Sequence, residues 1–211
     1  MIYEERRITL RRGQLDAYAS HLRDFVRPSL GGGEILCLLS AAIGGPVESI
    51  LQMTRFSDYD AWLEAQSAYG ADRMELVAHE EVRLLRSVSV RPKDVIEESD
   101  MRPFYGHRRF HIDPSDLDEF VHCSENGIWP RIESQGASIL GLWATLASTS
   151  PFEVTLLTGY HGPAHWEATR QHGDKPDGMD DATWEHSLSL HRRRSELPVK
   201  TWVRLMRRIE P

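Results

Sequence analysis

Cysteine is nearly absent: Cys37 and Cys123 are the only two in 211 residues. Two such distant residues make neither a disulfide framework nor a metal-type spacing. No apolar run approaches the roughly 20 residues of a membrane span. There is no glycine-rich phosphate loop and no Gly-x-Ser-x-Gly nucleophile elbow. Basic residues are also short, 25 Lys and Arg against 32 Asp and Glu, for a net charge of −7. That balance argues against nucleic acid as the main partner. The opening stretch MIYEERRITL carries charges where a signal peptide needs its apolar segment. These absences lead to the expectation of a cytoplasmic protein with no nucleic-acid or membrane partner and no bound metal.

A hydrophobic fraction of 40% is ordinary for a globular protein, and the length allows one large domain or two small ones. The chain reads as one unit written twice. YEERRITLRRGQLDAY (3–18) aligns without a gap on YGHRRFHIDPSDLDEF (105–120) at an offset of 102. Ile8 then meets Phe110, Leu15 meets Leu117 and Pro28 meets Pro130. A two-residue shift to an offset of 104 places Ile35 on Ile139, Phe56 on Tyr160 and Trp62 on Trp166. VRLLR (82–86) meets VRLMR (203–207) after a longer insertion in the second copy. The charged, proline-bracketed stretch VRPKDVIEESDMRP reads as the link between copies. The expected organisation is repeat one at 1–92, a linker at 93–102 and repeat two at 103–211, with an insertion at 172–198.

Each copy has the same element order. YEERRITL alternates as a strand does. A turn follows, then a helix expected to run to Pro28 or Pro130, with Leu15, Tyr18, Leu22 and Phe25 at helical spacing. Two apolar strands come next, EILCLLSAAI and ESILQMTRF in copy one, SILGLWATLA and EVTLLTGY in copy two, close enough for hairpins. A second helix and a last strand complete β-α-β-β-α-β, the ferredoxin-like unit. The expected fold class is α+β, tandem ferredoxin-like repeats forming a dimeric-type α/β barrel within one chain. The expected assembly is a monomer with an internal pseudo-dimer, or a homodimer.

Tyr3, Glu4, Arg6, Thr9, Leu10 and Gly13 resemble the opening of NIPSNAP proteins. Their first strand typically reads tyrosine-glutamate-x-arginine-x-tyrosine-threonine-leucine before a tight turn. IGGPVESILQMTRF resembles that family's hairpin, and RLLR its ending. The second copy departs from the pattern, with Gly106 for the glutamate and His111 for the threonine, while Arg108 is kept. The resemblance implies the dimeric α/β-barrel superfamily. That superfamily holds cofactor-free monooxygenases, lactone isomerases, haem-degrading enzymes, haem peroxidases and plain binding proteins. Fold alone does not choose among them.

Alternation puts Glu4 and Arg6 on the face of Ile8 and Leu10, and Arg108 on the matching face of copy two. A charge there is costly unless paired or facing a cavity. Glu4 can neutralise Arg6, whereas Arg108 has Gly106 in the partner's place and suits a carboxylate or enolate ligand; a structural ion pair at the rim is the alternative. Histidines crowd copy two, eight against two. His122 and His161 are the candidate proton movers, and His165 shares the GYHGPAHW stretch. Surface or helix-start histidines are the plainer reading of all three. Trp129 and Trp143 replace Arg27 and Leu39 of copy one, and Tyr160 ends a strand; they suit a pocket lining or a core. In the insertion, GDKPDGMDD reads as a loop and DDATWEHSLSLHRRR as a helix with acidic start and basic end. The pair forms either a lid over a copy-two pocket or a surface decoration, with HRRRSE as a solvated helix end.

Arg108, His122 and His161 are thus the expected catalytic residues. Arg6, Glu4, Trp129, Trp143, Tyr160 and His165 are the expected substrate-binding ones. The function expected is a small-molecule enzyme of specialised metabolism. It would catalyse cofactor-independent isomerisation, cyclisation or oxygenation of an aromatic or polyketide-like substrate. A haem or small-ligand binding protein and a non-catalytic scaffold are the alternatives.

Overall fold

A computed structural model gives the structure and describes residues 1–147, 150–170, 175 and 178–210. The chain divides into two compact units, Met1–Arg86 with Arg204–Pro211, and Ser87–Val203.

In the first unit β1 (Ile2–Leu10) is followed by helix α1 (Leu15–His21), a π turn (Leu22–Val26) and α2 (Arg27–Ser29). Then come β2 (Glu34–Ile43), β3 (Ser49–Phe56), α3 (Tyr59–Ala65) and β4 (Val77–Ser87). The sheet order is β4-β1-β3-β2, all antiparallel. The turn out of β1 uses Gly13 at φ 76, a backbone region open to glycine. Helix α3 begins at Asp58, whose carboxylate accepts the Ala61 N–H at 2.9 Å. Ile8, Leu10 and Ile50 on the sheet pack with Tyr18, Leu22 and Val26 on the helix.

The second unit runs β5 (Phe104–Ile112), α4 (Leu117–Cys123), a π turn (Ser124–Ile128), α5 (Trp129–Ser134), β6 (Ser138–Thr145) and β7 (Phe152–Tyr160). It continues with α6 (Pro163–Arg170) and α7 (Asp181–Glu196). β7 lies between β5 and β6, antiparallel to both. The last strand, β8 (Lys200–Ile209), starts in this unit. Its final residues belong to the first unit, where Leu205 to Ile209 pair antiparallel with β2. Phe110, Ile112, Phe120, Ile132, Leu142 and Val154 form the core between sheet and helices. Each such side chain contributes about 1.5–3 kcal/mol on burial.

Local details recur in register. Helix starts Leu15 and Leu117, and π turns at Leu22 and Ser124, are 102 residues apart. A strand irregularity at Ile35/Cys37 recurs 104 residues later at Ile139/Gly141. Neither helix stops at its proline. Pro28 and Pro130 each enter a further helical segment directly after the π turn. The wider turn accommodates a residue with no N–H to give and a ring that would crowd a regular α turn.

The inserted helix α7 is capped by Asp180, which accepts the Thr183 N–H at 2.9 Å. It lies tightly on the π turn after α4, where a Cβ on Gly127 would fall 2.6 Å from Leu190 Cβ. Ser187 Oγ donates to the Gly127 carbonyl at 2.5 Å, and Arg193 donates to Glu119 at 2.6 and 2.8 Å. The helix is therefore packed into its unit. The expected loop GDKPDGMDD and His172 fall on a stretch where 171–174, 176 and 177 lie outside the described residues. No helix among the described residues is long and apolar enough to cross a membrane.

Candidate functional site

The helix-facing side of β5 and β7 carries Gly106, Arg108, Leu156, Thr158 and Tyr160, and it walls a cavity of about 280 Å³. Helix α5 adds Arg131 and Ile132, and α6 adds Trp166, Thr169 and Arg170. Helix α7 adds His191, Arg194 and Ser195. Every lining residue belongs to the second unit. Gly106 keeps the floor open, because a Cβ there would lie 3.2 Å from the Tyr160 ring and 3.7 Å from Trp166 Nε1.

The wall is cationic. Among the described residues that line it there is no aspartate or glutamate. Arg108 makes no ion pair among the described residues; its guanidinium sits 5.9 Å from the centre of the Phe110 ring. Burial lowers its pKa, against an opposing pull from Tyr160. Arg194 is 7% exposed. Its Nε donates to Ser124 Oγ at 2.7 Å, and its guanidinium lies 4.6 and 4.5 Å from the Phe110 and Phe120 rings. Its Nη2 is buried without a hydrogen-bond partner. Burial, then the charge of Arg108, pulls Arg194 down to about 9, which leaves it protonated at neutral pH. Arg131 donates to the Thr169 carbonyl at 3.3 Å, and burial lowers its pKa as well. Burial raises the pKa of Tyr160, against the opposing pull of Arg108 and of hydrogen bonds with Thr158 and Thr169, so its hydroxyl stays protonated.

Of the expected site residues, the cavity brings together Arg108 and Tyr160 and does not include the others. His122 lies on the exposed face of α4, beside Asn126 Nδ2 at 3.3 Å, because the helix turns Phe120, Cys123 and Ser124 inward. His161 and His165 stack at 5.1 Å at the start of α6. The His161 N–H donates to His165 Nδ1 at 3.0 Å, and His165 Nε2 meets the Gln135 carbonyl at 2.9 Å. That leaves Nε2 carrying the proton and His165 tying the helix start to the turn before β6. Trp129 is 3% exposed in the helix-side core. Trp143 lies on the opposite face of β6 from Leu142 and Ala144, against Gly141, where a Cβ would be 2.3 Å from its ring. Glu4 and Arg6 belong to the first unit and bond to each other at 2.8 and 3.0 Å.

His191, Arg194, Arg131 and Trp166 complete the cavity wall, and only their spacing could have announced them. Ser187, His191 and Arg194 recur at helical intervals on one face of α7, the first and last buried and His191 half-buried. The run HRRRSE is thus only partly a solvated helix end: Arg192 and Arg193 are exposed and Arg194 is buried. His191 is the one imidazole on the wall among the described residues, and so the one candidate there for a haem axial ligand. No group of three or more His, Cys, Asp or Glu among the described residues could hold a metal ion.

The chain matches no protein-family model and no curated protein. Its fold is shared with solved structures. A candidate monooxygenase from Lactobacillus acidophilus superposes at TM-score 0.63 and 10% identity, over 98% of this chain and 93% of that one. An anthrone oxidase-like protein gives 0.60 and 10%, over 99% and 91%. A variant chlorite dismutase from Candidatus Nitrospira defluvii gives 0.56 and 8%, over 97% and 90%. NIPSNAP proteins from Burkholderia xenovorans and Agrobacterium tumefaciens match 46% and 41% of this chain at TM-scores of 0.35 and 0.32, too slight to carry an argument. The chain has the α+β fold of the dimeric α/β-barrel proteins, with eight strands among the described residues.

Proposed function

We propose that this protein is a small-molecule enzyme whose substrate is a compact, anionic, enolisable molecule held in the second unit's cavity. The observation that carries this reading is Arg108, half-buried on the cavity wall with no acid among the described lining residues to neutralise it. A cavity of about 280 Å³ lies near the lower end of the usual range for small-molecule sites, roughly 300–1,000 Å³. Trp166 and Tyr160 offer flat apolar surface with one donor each.

Arg108 binds the oxygen on which charge develops. His191 takes a proton from the carbon beside the carbonyl, and the electron pair moves onto that oxygen as an enolate. Return of the proton to a different atom completes an isomerisation with no outside reagent. Among the fold neighbours are a candidate monooxygenase and an anthrone oxidase-like protein; oxygenation here would add dioxygen to the same enolate. The shared π turns and strand irregularities support descent from a duplicated, NIPSNAP-like unit, with the second copy adapted for binding.

The test uses phenylpyruvate, a carboxylate with an enolisable carbon. Wild type should bind it and speed its keto–enol interconversion, followed by ultraviolet absorbance. Arg108→Met should lose binding, and His191→Ala should keep binding and lose the acceleration. Binding without acceleration in wild type would leave a ligand carrier, and no binding of any carboxylate would sink the reading. A retained coloured group with an intense near-ultraviolet band would favour haem instead.

A further inference from the structure

A buried cation needs an opposite charge, and the cavity holds a second one beside Arg108. Arg194 comes from α7, the helix that the first unit lacks. Ser124 holds its Nε at 2.7 Å, and the Phe110 and Phe120 rings clamp its plane, so its direction is fixed. Nη2 is left buried with no partner. No ion pair reaches Arg194 among the described residues, and none of its described neighbours on the wall is an acid. An uncompensated buried charge is strongly unfavourable, and a ligand that neutralises it recovers that loss. Arg108 and Arg194 flank one phenyl ring, their guanidinium carbons 5.9 and 4.6 Å from its centre, so one small molecule can reach both.

We propose that the ligand is a compact dianion, with one negative charge on Arg108 and the other on Arg194 across the edge of Phe110. This rests on the anionic-substrate reading above and narrows it to a molecule with two carboxylates or a phosphate. Arg108 serves the reacting end and Arg194 the remote end. Arg194 is then the specificity-determining residue, because it rejects molecules that leave its charge unpaired.

Calorimetric titration with benzamide, benzoate, phthalate and phenyl phosphate tests this on the full chain. Wild type should bind phthalate or phenyl phosphate at least roughly tenfold more tightly than benzoate, the scale of one charged hydrogen bond. The tighter of the two identifies whether the second charge is a carboxylate or a phosphate. Arg194→Met should bring the ratio of dianion to benzoate affinity close to one, and Arg194→Lys should restore part of it. Thermal unfolding of both variants without ligand checks that they fold, and Arg194→Met should not lower the midpoint, since it removes an uncompensated charge. Benzoate bound as tightly as the dianions, or a preference that survives Arg194→Met, overturns the dianion while leaving the single-anion reading intact. Failure of every anion to bind overturns both.

Discussion

The starts of β1 and β5 place an arginine on the same face of the same kind of strand, and the two units treat it in opposite ways. Arg6 donates to Glu4 at 2.8 and 3.0 Å, pairs with Glu80 at 3.0 Å and lies 3.8 Å over the Tyr69 ring. Trp62 Nε1 donates to Glu4 at 2.7 Å, and Gln66 joins the same cluster. Burial opposes the charge on Arg6, but Glu4 and Glu80 hold its pKa above the ordinary value. In the second unit Gly106 stands where the glutamate would be, and Trp166 faces the space it leaves. One missing carboxylate separates a closed ion cluster from an arginine left on a cavity wall. The first unit pairs its arginine internally, and in the function proposed above the second keeps one for a ligand.

The largest effect should come from making the first unit like the second. Glu4→Gly removes the main partner of a buried cation, and such losses cost about 3–5 kcal/mol. Chemical denaturation should report that loss, and a variant as stable as wild type would show that Glu80 alone suffices for Arg6. Next is the docking of α7. Gly127→Ala places a methyl 2.6 Å from Leu190 Cβ, and overpacking of this kind costs about 1–3 kcal/mol. It should also weaken ligand binding, because α7 carries His191 and Arg194. The converse change, Gly106→Glu, restores the missing acid. It should lower affinity for any anionic probe by at least roughly tenfold, the worth of one charged contact. The Tyr160 ring at 3.2 Å must shift a few tenths of an ångström to admit it. Undiminished binding would show that Arg108 is not the anchor.

Most of the fold was legible because it rests on local regularities. Period-two runs such as YEERRITL gave β1, the acidic start of DDATWEHSLSLHRRR marked α7, and the constant offset carried each element onto its counterpart. The proline stops misled, because a π turn depends on hydrogen-bond register that side-chain type does not display. At the site, Arg108 and Tyr160 were legible from alternation on β5 and from position on β7. His122 and Trp143 were not, since each sits one residue from an inward-facing neighbour, and one position decides the face. Arg194 was hidden inside a basic run that composition reads as solvent-facing. Its burial comes from α7 packing on Gly127, a tertiary contact far away in sequence.

Acid separates the two units more gently. Burial works against the Glu80 carboxylate, yet hydrogen bonds from Arg73 and Arg6 hold its pKa below the ordinary 4.5. The unfolded chain then binds its proton first, so this contribution is complete above about pH 4.5 and is lost as pH falls through the lowered value. The cavity of the second unit has no acid on its described wall to lose. The acid limb of a stability profile should therefore flatten in Glu80→Gln and keep its slope in Arg108→Met. An equal slope in wild type and Glu80→Gln would place acid sensitivity elsewhere.

The smallest effect should be at His122, and it marks the edge of the site. Its ring lies on the outer face of α4 beside Asn126 of the π turn, while Phe120 and Cys123 of α4 and Ser124 of that turn face inward. Only Ser124 among these reaches the cavity's chemistry, through its bond to Arg194. His122→Ala should leave both anion affinity and the unfolding midpoint where they are in wild type, whereas Ser124→Ala should weaken the preference for dianions by loosening Arg194. A loss of affinity in His122→Ala equal to that in Ser124→Ala would mean that α4 acts on the cavity as a whole. The contrast between the units would then lie in how their helices pack, not in the carboxylate that Gly106 lacks.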